Sequence, residues 1–179
     1  DSGSLLPSTS YDGVSESSIV FSCVGTPDNP DGSSNLEYVF SAARTASALM
    51  NKDSVYVQKS TVPVGTGKKV ASEMSKDILY VSSPEFLREG TAVFDTLFFD
   101  RIVVGGHNSD AVEEVLNVYK VIEEHRDAIA KRADVSPVSD EGKYIQTNLE
   151  SAELIKVTAN AFLALKISFA NSIAKLADE

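Results

Sequence analysis

Four short apolar runs constrain the fold of this 179-residue chain more than any other feature of its sequence. The runs are rich in β-branched residues, each is followed by turn residues, and they occupy 19–24, 54–58, 78–81 and 101–104. Amphipathic helical patterns follow them along the chain, at 36–50, 66–74 and 111–122. Since strands that read as continuous apolar runs are typically buried on both faces, the sequence predicts an α/β fold with a parallel sheet covered by helices.

The pattern changes in the last third of the chain. Charged and turn residues dominate 127–146, so we interpret this stretch as a solvated connecting loop. A single long helix is predicted over 147–179, because this stretch lacks Pro and Gly and opens with Thr147 and Glu150 at capping-box spacing. Such a helix is longer than one small domain needs, so we expect it to bridge to another domain or subunit. The predicted organisation is a sheet domain at 1–126, the loop, and then the long helix.

Charge and cysteine usage narrow the classes of function. The formal net charge of −10 repels the phosphates of nucleic acid and of anionic lipid, so neither is an expected partner. No uninterrupted apolar stretch approaches the roughly 18 residues of a membrane span. Cys23 is the sole cysteine and lies in an apolar run, so we expect it to be buried, without a disulfide, in a cytoplasmic protein. His107 and His125 have no second ligand at metal spacing, and no metal site is expected.

Three turns that follow predicted strands are candidates for a ligand site, because open α/β sheets bind ligands outside the carboxyl ends of their strands. They lie at 24–27, 59–66 and 82–90. In the first, Gly25 permits close approach of a ligand to the backbone. The second ends where a helix begins at Thr66, and the free amides of that helix start are expected to hold an anion.

Two pairs of polar residues spaced four apart carry the possible chemistry. Glu85 and Glu89 would share one face of a helical turn, where like charges are mildly destabilising unless something binds beside them. An isolated pair of this kind more often solvates an exposed turn, but this pair directly follows a strand and a proline. Lys156 and Asn160 lie in a nearly apolar stretch of the long helix, so they either reach solvent or meet a polar ligand.

With these residues, the chain resembles the UDP-glucose/GDP-mannose dehydrogenase family. The likeness lies in four stretches, which occur in the family's order: 23–27 with 31–33, 59–66, 83–90 followed by 100–105, and 151–156 through 166–171. The resemblance implies a Rossmann-like domain that binds NAD, a long connecting helix that forms a homodimer interface, and a later domain that completes a nucleotide-sugar site. The family oxidises the C6 alcohol of the sugar to a carboxylate in two hydride transfers, through a thiohemiacetal on a cysteine.

The resemblance also implies roles for single residues. Cofactor contacts would come from Val24, Gly25, Thr26, Thr61 and Glu89, and Thr61 would also position the catalytic water. Glu85 would be the general acid/base residue, and the sugar would be cradled by Glu85, Phe86, Leu87, Arg88 and Glu89. Lys156 would stabilise developing oxyanion charge, and Asn160 would hydrogen-bond substrate oxygens.

Two family elements have no counterpart in this sequence: the first strand with its Gly-x-Gly-x-x-Gly turn, and the segment with the nucleophilic cysteine. We therefore expect an incomplete sheet that lacks its first strands, in a central fragment that is inactive alone. The residues at 84–90 and 166–171 favour UDP-glucose as substrate, with UDP-glucuronate as product. GDP-mannose or UDP-N-acetylhexosamine dehydrogenases are alternatives within the family, and a non-catalytic dimerisation or nucleotide-binding module is an alternative outside it.

Overall fold

The structure is a computed structural model that describes residues 5–75, 77–136 and 142–178. Its centre is a five-stranded sheet in which neighbouring strands are also consecutive in sequence. The strands are β1 Ile19–Ser22, β2 Val55–Gln58, β3 Leu79–Ser82, β4 Arg101–Gly106 and β5 Lys143–Thr147. The helices are α1 Glu37–Ser47, α2 Thr66–Glu73, α3 Ala92–Leu97, α4 Ser109–Arg132 and α5 Leu149–Asp178, preceded by a 3-10 helix at Asp12–Glu16.

The α/β fold is confirmed, and the sheet differs from the predicted parallel sheet in one antiparallel pair of strands. β1, β2 and β3 are parallel, β4 runs antiparallel to β3, and β5 is parallel to β4. A parallel connection needs a crossover element that packs across the sheet. The connection from β3 to β4 contains only α3, whose Leu97 packs beside Ala130 of α4 instead. The chain therefore returns along the sheet in the opposite direction.

Helices cover both faces of the sheet and form two apolar cores. One core joins α1, α2 and the start of α5 to Tyr56 and Tyr80 of the sheet. The other packs α4 against Val57 and Val104. Because side chains alternate between the faces of a strand, all four residues of β2 are buried. The continuous apolar runs noted in the sequence are the consequence of this double covering.

Both ends of the predicted connecting loop at 127–146 are regular structure. Residues 127–132 continue α4, with Ala130 buried against α3, and residues 143–147 form the edge strand β5. Residues 137–141 lie outside the described part of the chain. The cap of the long helix also differs from the prediction, because Thr147 is the last residue of β5. Asn148 takes the capping role, and its Oδ1 accepts a hydrogen bond from the amide of Ser151 at 2.8 Å.

Helix α5 is anchored at its first two turns. Its buried residues are Leu149, Ala152, Glu153 and Lys156, and every described residue from Asn160 onward is exposed. Among the described residues it is also the one helix long and apolar enough to cross a membrane by length and composition. One such helix is weak evidence for a membrane span, since the core helix of a soluble protein passes the same test.

Cys23 is exposed, which corrects the expectation of a buried cysteine. The reason is that β1 ends at Ser22 and lies at an edge of the sheet, so Cys23 is already in the turn that leaves it.

Candidate functional site

A buried lysine and a glutamate from distant parts of the chain meet at the end of β3. Lys156 Nζ lies 3.1 Å from Glu85 Oε1, and the Lys156 side chain is only 7% exposed. Glu85 follows Pro84 just beyond β3, and Lys156 lies in the second turn of α5. A buried ammonium needs a charged partner, and Glu85 supplies it. The structure thus brings together the two residues that the sequence put forward for acid/base and oxyanion roles.

The ring of Phe86 lies within reach of two cations. Lys156 Nζ is 5.2 Å from the ring centroid, and the guanidinium carbon of Arg101 is 4.4 Å from it. Both distances are within the range of cation–π attraction. Arg101 begins β4, so the ring next to Glu85 contacts cations from both the antiparallel strand and α5.

A carboxylate holds the remainder of the 85–90 segment. Asp95 accepts hydrogen bonds from the backbone amide of Arg88 at 2.7 Å, from its guanidinium at 2.6 Å, and from the Thr91 hydroxyl at 3.1 Å. The Arg88 guanidinium and these bonds lower the pKa of Asp95 to about 2. Leu87 and Glu89 are exposed. The segment is therefore fixed at both ends, with side chains open to a ligand.

The turns after β1 and β2 are linked to each other at the carboxyl ends of these two strands. Ser60 Oγ donates a hydrogen bond to the carbonyl of Val24 at 2.6 Å. Val24, Thr26 and Thr61 are half-buried, and the described atoms leave open space around Gly25. These two turns form a joined, accessible rim at the ends of the two strands.

The predicted anion site at the start of α2 is already filled by a side chain of the protein. Glu153 Oε2 accepts from the amide of Gly65, and Glu153 Oε1 accepts from the amide of Gly67, both at 2.6 Å. Burial raises the pKa of Glu153, although the amide bonds oppose this shift. The free amides expected before Thr66 are thus not available to a ligand, because a carboxylate takes the place of the anion.

Sequence reasoning missed Glu153. It comes three residues before Lys156, on the same face of the helix, and that spacing was the available signal. Asn160, by contrast, lies one turn beyond Lys156 and is exposed, so it does not join the buried pair.

A cavity of about 450 Å³ lies on the α4 side of the 85–88 segment. Lys59 and Tyr119 line it, and Lys59 Nζ donates to the Tyr119 hydroxyl at 2.9 Å. Glu85 and Phe86 border the cavity as well as contacting Lys156. Over residues 5–75, 77–136 and 142–178, no group of three or more His, Cys, Asp or Glu side chains is arranged to hold a metal ion.

The joined strand-end turns and the helix-covered sheet are those of a Rossmann-like nucleotide-binding domain. Residues 1–123 match the NAD binding domain of the UDP-glucose/GDP-mannose dehydrogenase family, and residues 150–179 match its central domain. The chain therefore belongs to the UDP-glucose/GDP-mannose dehydrogenase family, as the sequence motifs indicated.

Individual relatives agree with this assignment. The chain is 43% identical over 171 residues to UDP-glucose 6-dehydrogenase TuaD of Bacillus subtilis, covering 92% of this chain and 33% of TuaD. It is 41% identical over 174 residues to a Rhizobium meliloti UDP-glucose 6-dehydrogenase, covering 93% of this chain and 36% of the relative. A solved UDP-glucose dehydrogenase from Pyrobaculum islandicum superposes with a TM-score of 0.75 at 34% identity, covering 93% of this chain and 37% of that one. The chain thus spans about a third of the length of these relatives.

Proposed function

We propose that this chain provides the cofactor side and the central helix of an NAD-dependent dehydrogenase that oxidises the C6 alcohol of UDP-glucose to UDP-glucuronate. The contact between Lys156 and Glu85 carries the proposal, because it places an ammonium and a carboxylate in one protected position beside the strand ends. A preorganised cation in such a position stabilises a developing alkoxide far better than water does, commonly by about 3 kcal/mol. The 36–43% identity to UDP-glucose 6-dehydrogenases favours UDP-glucose as the sugar nucleotide.

In this proposal the Glu85 carboxylate accepts the proton of the reacting hydroxyl, and the Lys156 ammonium stabilises the negative charge that develops on its oxygen. The segment from Phe86 to Glu89 cradles the sugar, since Asp95 fixes its backbone while its side chains remain accessible. Asn160, exposed one turn along α5, donates to substrate oxygens that lie above the buried pair.

NAD fits the joined rim of the first two turns. Val24, Gly25, Thr26 and Thr61 would hold it there, because the rim is open at Gly25 and offers hydroxyls at both turns. When bound, NAD supplies the hydride acceptor. The α2 start contributes no phosphate contact in this arrangement, because Glu153 already occupies its amides. Glu89 is the remaining proposed cofactor contact.

We expect the 179-residue polypeptide to bind ligands without turning them over. The family's covalent step requires a cysteine in a later segment, and Cys23 at the end of β1 does not correspond to it. The proposal also includes a homodimer formed through α5 and a cytoplasmic location.

Calorimetric titration tests the proposal. The chain should bind UDP-glucose and NAD, and Lys156→Met should weaken UDP-glucose binding at least tenfold, since it leaves Glu85 without its partner. Lys166→Met is the matched control, because Lys166 lies on the exposed part of the same helix. Equal effects of the two substitutions, or no binding of either nucleotide, would contradict the proposal. Tighter binding of GDP-mannose or a UDP-N-acetylhexosamine would reassign the substrate within the family.

A further inference from the structure

Glu153 is a carboxylate buried where it makes no contact with the proposed reacting groups. It is 2% exposed, and its two oxygens accept the amides of Gly65 and Gly67, 88 and 86 residues away in sequence. Burying a carboxylate is costly, and two charge-assisted bonds at a helix N-terminus offset that cost. The result is a clamp between α5 and the start of α2.

Each side of this clamp carries one of the proposed functional residues. On α5, Lys156 follows Glu153 by one turn, and both side chains are buried. On the other side, Gly65 ends the turn that carries Thr61. Within that turn Thr66 donates to the carbonyl of Pro63 through its hydroxyl at 2.6 Å and its amide at 3.1 Å. Gly65 therefore lies inside a hydrogen-bonded loop that begins two residues after Thr61.

The residues around the clamp are closely packed at Gly67. A Cβ added at Gly67 would lie 2.7 Å from the Tyr80 ring and 2.9 Å from Glu153 Oε1. Glycine at this position allows α2 to approach α5 closely enough for both bonds. The titratable groups that face Glu153 are Tyr80 of β3 and Glu150 of α5.

From this geometry we infer that Glu153 is a positioning residue that holds the Thr61 turn and Lys156 in one fixed frame. This inference rests on the proposed function in one respect: it assigns the Thr61 turn to the cofactor and Lys156 to the substrate. If each ligand favours the clamped over the unclamped arrangement, each is bound more tightly when the other is present.

The first test uses the unmodified chain and needs no ligand. The amide resonances of Gly65 and Gly67 are followed by NMR as the pH is lowered, and they report protonation of Glu153 at a pH above the ordinary 4.5 of a glutamate. If Glu153 positions both sides, the Thr61 amide and the Lys156 side chain shift with the same midpoint. The Glu150→Gln control keeps this shared midpoint, and Glu153→Gln removes it. Shifts confined to Gly65 and Gly67 would reduce Glu153 to a local helix cap and overturn the inference.

The second test measures coupling by calorimetry. Glu153→Gln replaces one acceptor by a donor that faces an amide, so NAD affinity should fall about tenfold and the mutual tightening of NAD and UDP-glucose should disappear. Glu153→Asp, which keeps the charge, should restore part of the coupling. Unchanged coupling in Glu153→Gln would refute the inference even if the variant were less stable. If the unmodified chain binds neither nucleotide, the proposed function fails, whereas the NMR result still decides the role of the clamp.

Discussion

Replacing Gly105 with alanine should loosen the attachment of α5 to the sheet. Gly105 lies in β4 beneath the start of α5, and a Cβ there would collide with the carbonyl oxygen of Asn148 and lie 2.7 Å from the Cβ of Ala152. Ordinary contact begins at 3.4 Å. The obstacle at Asn148 is backbone, so it cannot rotate away, and the start of α5 must shift away from the sheet.

The expected magnitude follows from two opposing effects. Overpacking of this kind typically costs about 1–3 kcal/mol, and more where backbone must move. Restricting the unfolded chain returns about 0.4–1 kcal/mol, because alanine has less backbone freedom than glycine. We therefore expect Gly105→Ala to lower the free energy of unfolding by about 2 kcal/mol.

Urea denaturation followed by circular dichroism measures this loss. Gly25→Ala is the matched control, because the described atoms leave its Cβ position open to 4 Å, and it should change the free energy of unfolding by under about 0.5 kcal/mol. If both variants lose the same stability, or if Gly105→Ala loses none, the close approach of α5 to β4 does not have the energetic weight assigned to it.

Two further predictions concern the 85–90 segment and α5. Since Asp95 has a pKa of about 2 when folded and 3.8 as its ordinary value, its contribution to stability is complete above about pH 4 and is lost as the pH falls towards 2. Asp95→Asn should therefore flatten the pH dependence of Tm between about pH 2 and 4. Glu73→Gln is the control, because Glu73 forms an exposed pair with Arg44, and it should leave that dependence unchanged. Equal slopes of Tm against pH in the two variants would contradict this prediction. Sedimentation should show a dimer at micromolar concentration that Phe169→Glu dissociates, because Phe169 is 66% exposed on α5; a monomeric unmodified chain would rule the helix out as a dimer interface.

The sequence predicted those parts of the fold that depend on local composition. β2 was identifiable because Val55, Tyr56 and Val57 form an apolar run buried on both faces. The direction of β4 was not, since the crossing of the sheet depends on how α3 packs against α4. β5 was missed because only Tyr144 and Ile145 in it are partly buried and apolar, too short a pattern to stand out among charged neighbours.

In the candidate site, single residues could be predicted from the sequence, but the contacts between them could not. Glu85 was identifiable because it directly follows a strand and a proline, and Lys156 because it lies in a nearly apolar stretch of the long helix. Their contact, and the clamp of Glu153 on Gly65, join residues more than 70 positions apart, so no local pattern contains them. The expectation that α2 offers free amides failed for this reason: the occupying carboxylate comes from another helix.

The unsupported part of α5 makes it a lever with its pivot at the sheet. Beyond Lys156 the described helix continues for 22 residues, or roughly 33 Å. A rotation of only about 5° at the pivot would move the far end of the helix by about 3 Å, enough to break side-chain contacts there. The position of any surface that docks on the distal end therefore depends on the first two turns of α5, where Gly105 and Glu153 attach the helix. A small change in these contacts would shift the distal end by several times as much.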